Sequence, residues 1–266
     1  MRLERLAICA LAASLAACAN HSLLTPPQPP PPESRLTPPS KAEQALDAAR
    51  VHTELAQHYM QQGDLQTAQQ KVLLAIQFDA HYAPAYTVLG AIDEKIGDRA
   101  GAERNYAQAL KLEPDKGGPN NNYGAFLCRT GHAAQAEPYF AKALTDPFYG
   151  ERDVALTNAG ICRWDMHDAA GAQNDFRRAL QVNPNNTDAM FQLASLYYDL
   201  GDYFHALAFI QRFDTQGHAN PAALKLGFDI ETRLGNREAA SDYRQRLLSQ
   251  FPDSEQARAF EPMTSP

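Results

Sequence analysis

The sequence contains none of the short motifs that mark common catalytic and ligand-binding chemistries: no HExxH, no GxSxG, no phosphate-binding loop and no EF-hand pattern. Gly117-Gly118-Pro119-Asn120 is glycine-rich, but no phosphate-binding lysine follows it, and the segment reads as a helix start. The eight histidines show no metal-ligand spacing, so neither a metal nor another cofactor is expected. Basic residues are in the minority, 24 Lys and Arg against 31 Asp and Glu, for a formal charge of -7. That balance argues against a nucleic-acid surface, which is basic. Together these absences point away from an enzyme, a small-molecule substrate and a nucleic-acid partner. Long apolar runs are also missing after residue 17; a membrane-spanning helix needs about 20 such residues.

Cysteine is scarce, with four in the chain, and two of these, Cys9 and Cys18, lie near the N-terminus. Arg2 and Arg5 precede an apolar stretch, Leu6 to Ala17, that is too short to span a bilayer. Small residues before a cut site complete a secretory signal. Leu15-Ala16-Ala17-Cys18 resembles the bacterial lipobox, in which the thiol is acylated and the chain is cut just before it. The plainer alternative is an ordinary signal with an incidental Cys. On the lipobox reading residues 1–17 are a signal peptide, and Cys18 is the lipidated first residue of the mature chain. One acyl chain holds a membrane marginally and two or more hold it stably. Residue 19 is Ala, not the Asp that retains lipoproteins at the inner membrane. The expected location is therefore the periplasmic face of the outer membrane, through the N-terminal lipid anchor.

Residues 18–40 suit a tether. Eight prolines fall between positions 26 and 39, with almost nothing that could form a core. Proline fixes φ and lacks an N–H, so the tract is expected as a semi-rigid polyproline II spacer, reaching about 3 Å per residue. A ligand for an SH3-type reader is the sharper alternative.

From residue 49 the chain repeats with a period of about 34 residues. Leu55-Ala56, Leu89-Gly90, Tyr123-Gly124, Ala159-Gly160, Leu193-Ala194 and Leu226-Gly227 share one paired position. Gly63, Gly97, Gly131 and Gly201 end the first helix of their units, and His167 takes that place in the fourth. Ala68, Ala102, Ala136, Ala172, Ala206 and Ala239 recur in the second helix, followed by Val72, Tyr106, Phe140, Phe176, Ile210 and Tyr243. This is the tetratricopeptide (TPR) pattern. Small residues let two helices touch, a bulky residue fills the gap, and stacked hairpins bury what one alone cannot. The expected fold is all-α: a right-handed superhelix of about six TPR hairpins over residues 41–254, with a C-terminal tail at 255–266. In the third unit an insertion follows Asp146-Pro147-Phe148-Tyr149-Gly150, and in the sixth Arg246 replaces a small residue. Asn185-Asn186-Thr187 reads as a turn with Thr187 capping the next helix.

First helices of such a stack line a concave groove that takes extended peptides or partner helices. The groove candidates are Asn121, Arg129, Asn158, Trp164, Phe191 and Tyr198. Trp164 is the single tryptophan, and beside Phe191 and Tyr198 it would anchor a partner; alternatively these rings pack between first helices. Cys128 and Cys162 fall on consecutive first helices. Helices lie about 8–10 Å apart, whereas Cα atoms of bridged cysteines are about 4.4–6.8 Å apart. A disulfide therefore needs a close approach, which Ala125 and Gly160 would allow; two buried thiols are the other outcome.

Three segments go beyond a generic repeat: 120–151, 156–168 and Phe251-Pro252-Asp253-Ser254. Their most specific parts are Asn122-Tyr123-Gly124 with Phe126-Leu127-Cys128, the Asp146-Pro147 turn with Tyr149, and Asn158-Ala159-Gly160-Ile161-Cys162. These resemble the type IV pilus biogenesis and stability lipoproteins, the PilF/PilW family, over nearly the whole chain. Departures are His167 in place of a glycine and a longer proline tract. The resemblance implies a pilotin: an outer-membrane TPR lipoprotein that binds the type IV pilus secretin subunit. It would promote that subunit's localisation and multimerisation, and so pilus biogenesis and twitching motility. A general envelope TPR scaffold, organising peptidoglycan or outer-membrane-protein assembly factors, is the alternative.

Overall fold

The computed structural model of the chain describes residues 39–217 and 219–260. Cys18, the signal segment and the proline tract up to residue 38 lie outside the described residues, as do His218 and 261–266. Among the described residues all regular structure is helical. Twelve helices pair into six hairpins: α1 (Lys41–Gln61) with α2 (Leu65–Phe78), α3 (Ala83–Ile96) with α4 (Arg99–Leu112), and α5 (Gly117–Arg129) with α6 (Ala133–Thr145). They continue as α7 (Arg152–Asp165) with α8 (Ala169–Val182), α9 (Thr187–Asp199) with α10 (Tyr203–Thr215), and α11 (Pro221–Leu234) with α12 (Arg237–Gln250); a short α13 (Glu255–Arg258) follows. This is the tetratricopeptide fold the periodicity predicts.

Local chemistry sets the helix ends. Ser40 and Glu43 form a reciprocal capping box: Ser40 Oγ accepts the Glu43 N–H, and the Glu43 carboxylate accepts the Ser40 N–H. Four second helices begin with an aspartate cap. Asp64, Asp98, Asp168 and Asp202 accept the N–H groups of Thr67, Gly101, Gly171 and His205. Just before these caps the chain reverses through a left-handed residue, a glycine in three of these four hairpins and His167, at φ 64°, in the fourth. A side chain there costs about 1–2 kcal/mol.

The core follows the small-residue pattern. Ala68, Ala102, Ala136, Ala172 and Ala206 are fully buried, as are Val72 and Ile210. A Cβ built on Gly160 would lie 2.5 Å from the Phe176 ring, so only glycine lets that ring settle. In the sixth unit Ala240, not the expected Ala239, is buried: its turn glycine, Gly235, falls 34 residues after Gly201, and Ala240 follows it by five, as Ala206 follows Gly201. The cap of α9 is likewise Asn186, whose side chain accepts the Ala189 N–H, rather than Thr187.

The insertion after unit three is a built turn. Asp146 accepts the N–H of Gly117 at 2.9 Å and of Phe148 at 3.0 Å, so it caps α5 from the far end of the same unit. Tyr149 covers Gly117, where any side chain would strike its ring. At the C-terminal end α13 seals the stack: Ala257 is buried, and the Phe260 ring meets Phe228 edge-on at 4.7 Å. At the other end Leu55 is 37 % exposed, whereas Leu89, Leu193 and Leu226 at the same repeat position are buried against the preceding unit.

His167→Gly is expected to raise stability by about 1 kcal/mol, since relief of the left-handed strain outweighs the added freedom of the unfolded chain; thermal melting reads it, and an unchanged or lower Tm counts against the strain. The two N–H donors, Gly117 first, hold the Asp146 carboxyl below its ordinary value. Its contribution is present above the ordinary aspartate pKa of about 3.9 and is lost as pH falls through the lowered value. The Tm gap between wild type and Asp146→Asn is therefore expected to be widest at neutral pH and to close below about pH 4.

Candidate interaction groove

Consecutive first helices touch one another from α1 to α11, so they form one continuous surface. The structure distributes the six groove candidates unequally along it. Asn121 is 3 % exposed, and its side-chain oxygen accepts the Asn158 amide at 3.0 Å. The pair spaces α5 from α7, so Asn121 is corrected from a partner contact to a buried spacer, with Asn158 serving it. Arg129 is half-exposed but engaged: its Nε and a terminal nitrogen donate to Glu94 at 3.1 and 2.7 Å. Glu94 also accepts the Tyr106 hydroxyl at 2.7 Å. Burial, with Glu94 beside it, pushes the Tyr106 pKa up and keeps that hydroxyl a donor.

Trp164, Phe191 and Tyr198 are half-buried and border one core cluster that spans units four to six. The Phe191 ring lies 6.1 Å from Phe213, and Tyr198 lies 5.6 Å from Tyr203. Arg233 stands over Tyr203 at 6.0 Å, a cation–π distance. Each of the three rings thus packs with part of its area and keeps part toward solvent. These positions can hold an apolar partner group by contact; they contain no nucleophile–base pair.

Cys128 and Cys162 are joined in a disulfide, with Cα atoms 5.5 Å apart. The bridge ties α5 to α7 beside the Asn121–Asn158 rung, at the junction that carries the insertion. Sequence reasoning missed the charged cluster behind it. Asp175, on the buried stripe of α8, pairs with Arg163 at 3.1 Å and Arg178 at 2.9 Å, and Arg163 also pairs with Glu137 at 2.6 Å. Burial pushes the Asp175 carboxyl pKa up against the pull of the two arginines. The spacing of Asp175 and Arg178, three residues apart on one helix, was the available signal.

Comparison with known proteins places this geometry. The tetratricopeptide repeat pattern matches residues 163–227. The crystal structure of PilW, a widely conserved type IV pilus biogenesis factor, superimposes with a TM-score of 0.71 at 30 % identity, covering 79 % of this chain and 97 % of that one. The chain belongs to the PilF/PilW family of type IV pilus biogenesis proteins. PilF of Pseudomonas aeruginosa, a type IV pilus assembly protein, is 26 % identical over 224 residues, or 84 % of this chain and 89 % of its own length. Its solved structure matches with a TM-score of 0.69, covering 82 % and 98 % of the two chains. In this member, residues that carry the family resemblance build the junction of units three and four: Asn158 on Asn121, Asp146 and Tyr149 on Gly117, and Cys128 on Cys162.

A cross-link that closes a loop of sequence separation 34 stabilises by about 4 kcal/mol in the chain-entropy account. Reductant is expected to lower the Tm of the wild type to that of Cys128→Ser, which itself does not respond to reductant; identical wild-type melting with and without reductant would sink this role.

Proposed function

We propose that this protein is a lipid-anchored pilotin of the outer membrane, which binds the type IV pilus secretin subunit and promotes its localisation and assembly into a ring. The observation that carries the reading is the match to PilW over nearly all of that chain, joined to the lipobox-like sequence Leu15-Ala16-Ala17-Cys18. The lipid and the proline tract would hold the repeat domain on the periplasmic face of the membrane. Tethering makes the encounter with secretin subunits effectively intramolecular, which raises their local concentration without new contacts. The half-buried rings Trp164, Phe191 and Tyr198 supply the apolar anchors, with Arg129 at the edge of the same surface. Pilus biogenesis and twitching motility would depend on the complex.

Membrane fractions from a strain lacking the gene, run on an unheated gel, test the reading. The ring-sized secretin species is expected to disappear or to stay in the inner membrane; rings of normal amount in the outer membrane would overturn it. Cys18→Ala is expected to release the protein into the soluble periplasmic fraction, and unchanged pelleting with membranes would count against the anchor.

A further inference from the structure

A cavity of about 270 Å³ lies at the junction of units three and four. Its apolar wall comes from Phe140, Ala141, Leu144 and Ala159, and the bridged Cys162 also lines it. The charged cluster of Glu137, Arg163, Asp175 and Arg178 lines it as well, with Ala133 and Met166. The volume approaches the low end of ligand pockets, roughly 300 Å³, and the combination of apolar walls with a few converging polar groups is what such pockets share.

The charges are not spent evenly. Asp175 is 2 % exposed and uses one oxygen on Arg163 and the other on Arg178. Arg163 is taken up on both sides, by Glu137 and by Asp175. Arg178 is 47 % exposed and is held through a single nitrogen. Its remaining N–H groups have no partner among the described residues. A buried carboxylate therefore fixes a guanidinium beside an apolar cavity with one edge open.

We propose that this cavity is a socket for a partner polypeptide, taking a large apolar side chain that is carried next to a carboxylate. The side chain fills the space between Phe140, Leu144 and Ala159. The carboxylate takes the open edge of Arg178, which Asp175 holds in place. Polypeptide is the fitting occupant because the lining pairs an apolar wall with one exposed guanidinium, and a large apolar residue beside an acidic one offers a complement to both. The socket draws on α6, α7 and α8 but not on the rings of the first-helix groove, so it stands or falls independently of the secretin reading.

N-acetyl-phenylalanine and N-acetyl-phenylalaninamide are the probes, titrated into the full chain and followed by amide NMR. The acid is expected to shift the amides around Ala141 and Arg178 and to bind roughly fivefold tighter than the amide, the size of a part-exposed ion pair. Arg178→Gln should remove that difference and leave the amide's affinity unchanged. Ala141→Trp fills the mouth and should abolish both; if it fails to fold, Ala141→Leu makes the same test at lower bulk. Shifts that map elsewhere, no binding of either probe, equal affinity of acid and amide, or full binding to the filled and folded variant would each overturn the proposal.

Discussion

The approach of Phe176 to Gly160 is the contact on which this architecture turns. Two helices of a hairpin come close where one offers no side chain or only a methyl, and a bulky residue from the other then closes the gap. Phe140 repeats the arrangement on Gly124, and Tyr106 repeats it on Gly90. Once the two helices are fixed at that spacing, each hairpin presents a flat apolar side that water would otherwise wet. The next hairpin covers it, and the stack propagates by nearest-neighbour contact. Everything functional in the molecule is a surface left over from that propagation.

The junction of units three and four departs from simple repetition, and four features meet there. The insertion turns back so that Asp146 can cap α5. The disulfide holds α5 to α7, and the Asn121–Asn158 pair sets their spacing. Behind them Asp175 gathers two arginines around an apolar cavity. Buried charge of this kind adds little net stability, because desolvation offsets much of the attraction. Its effect is geometric: it fixes where cations stand.

The fold was legible because its periodicity is redundant. Six paired positions and a recurring turn glycine survive the loss of any one, so His167 changed a turn residue without hiding the unit. Where two cues disagreed, the reading slipped, as at Ala239: the 33-residue step from Leu193 to Leu226 favours it, whereas the turn glycines Gly201 and Gly235 keep a step of 34 and bury Ala240. The site was less legible. Position within a repeat places Asn121 on the first-helix surface, but it cannot say that Asn158 reaches across to cover it. The same holds for Glu94, Tyr106 and Arg129, which meet from different units. Pairings between units depend on superhelical geometry, and no spacing along one helix encodes them.

The two ends of the stack differ, and the cross-link sits between them. α13 closes the C-terminal side, while α1 leaves Leu55 and Val51 open to solvent. Under load applied at the N-terminal end the hairpins would therefore peel in order, α1 with α2 first, since no earlier hairpin among the described residues braces them. Peeling advances until it meets the bond between Cys128 and Cys162. Beyond that point the force runs through a covalent strap rather than through helix packing. The bond spares only the loop that it closes, residues 129–161, and the apolar wall of the charged cavity lies within that loop.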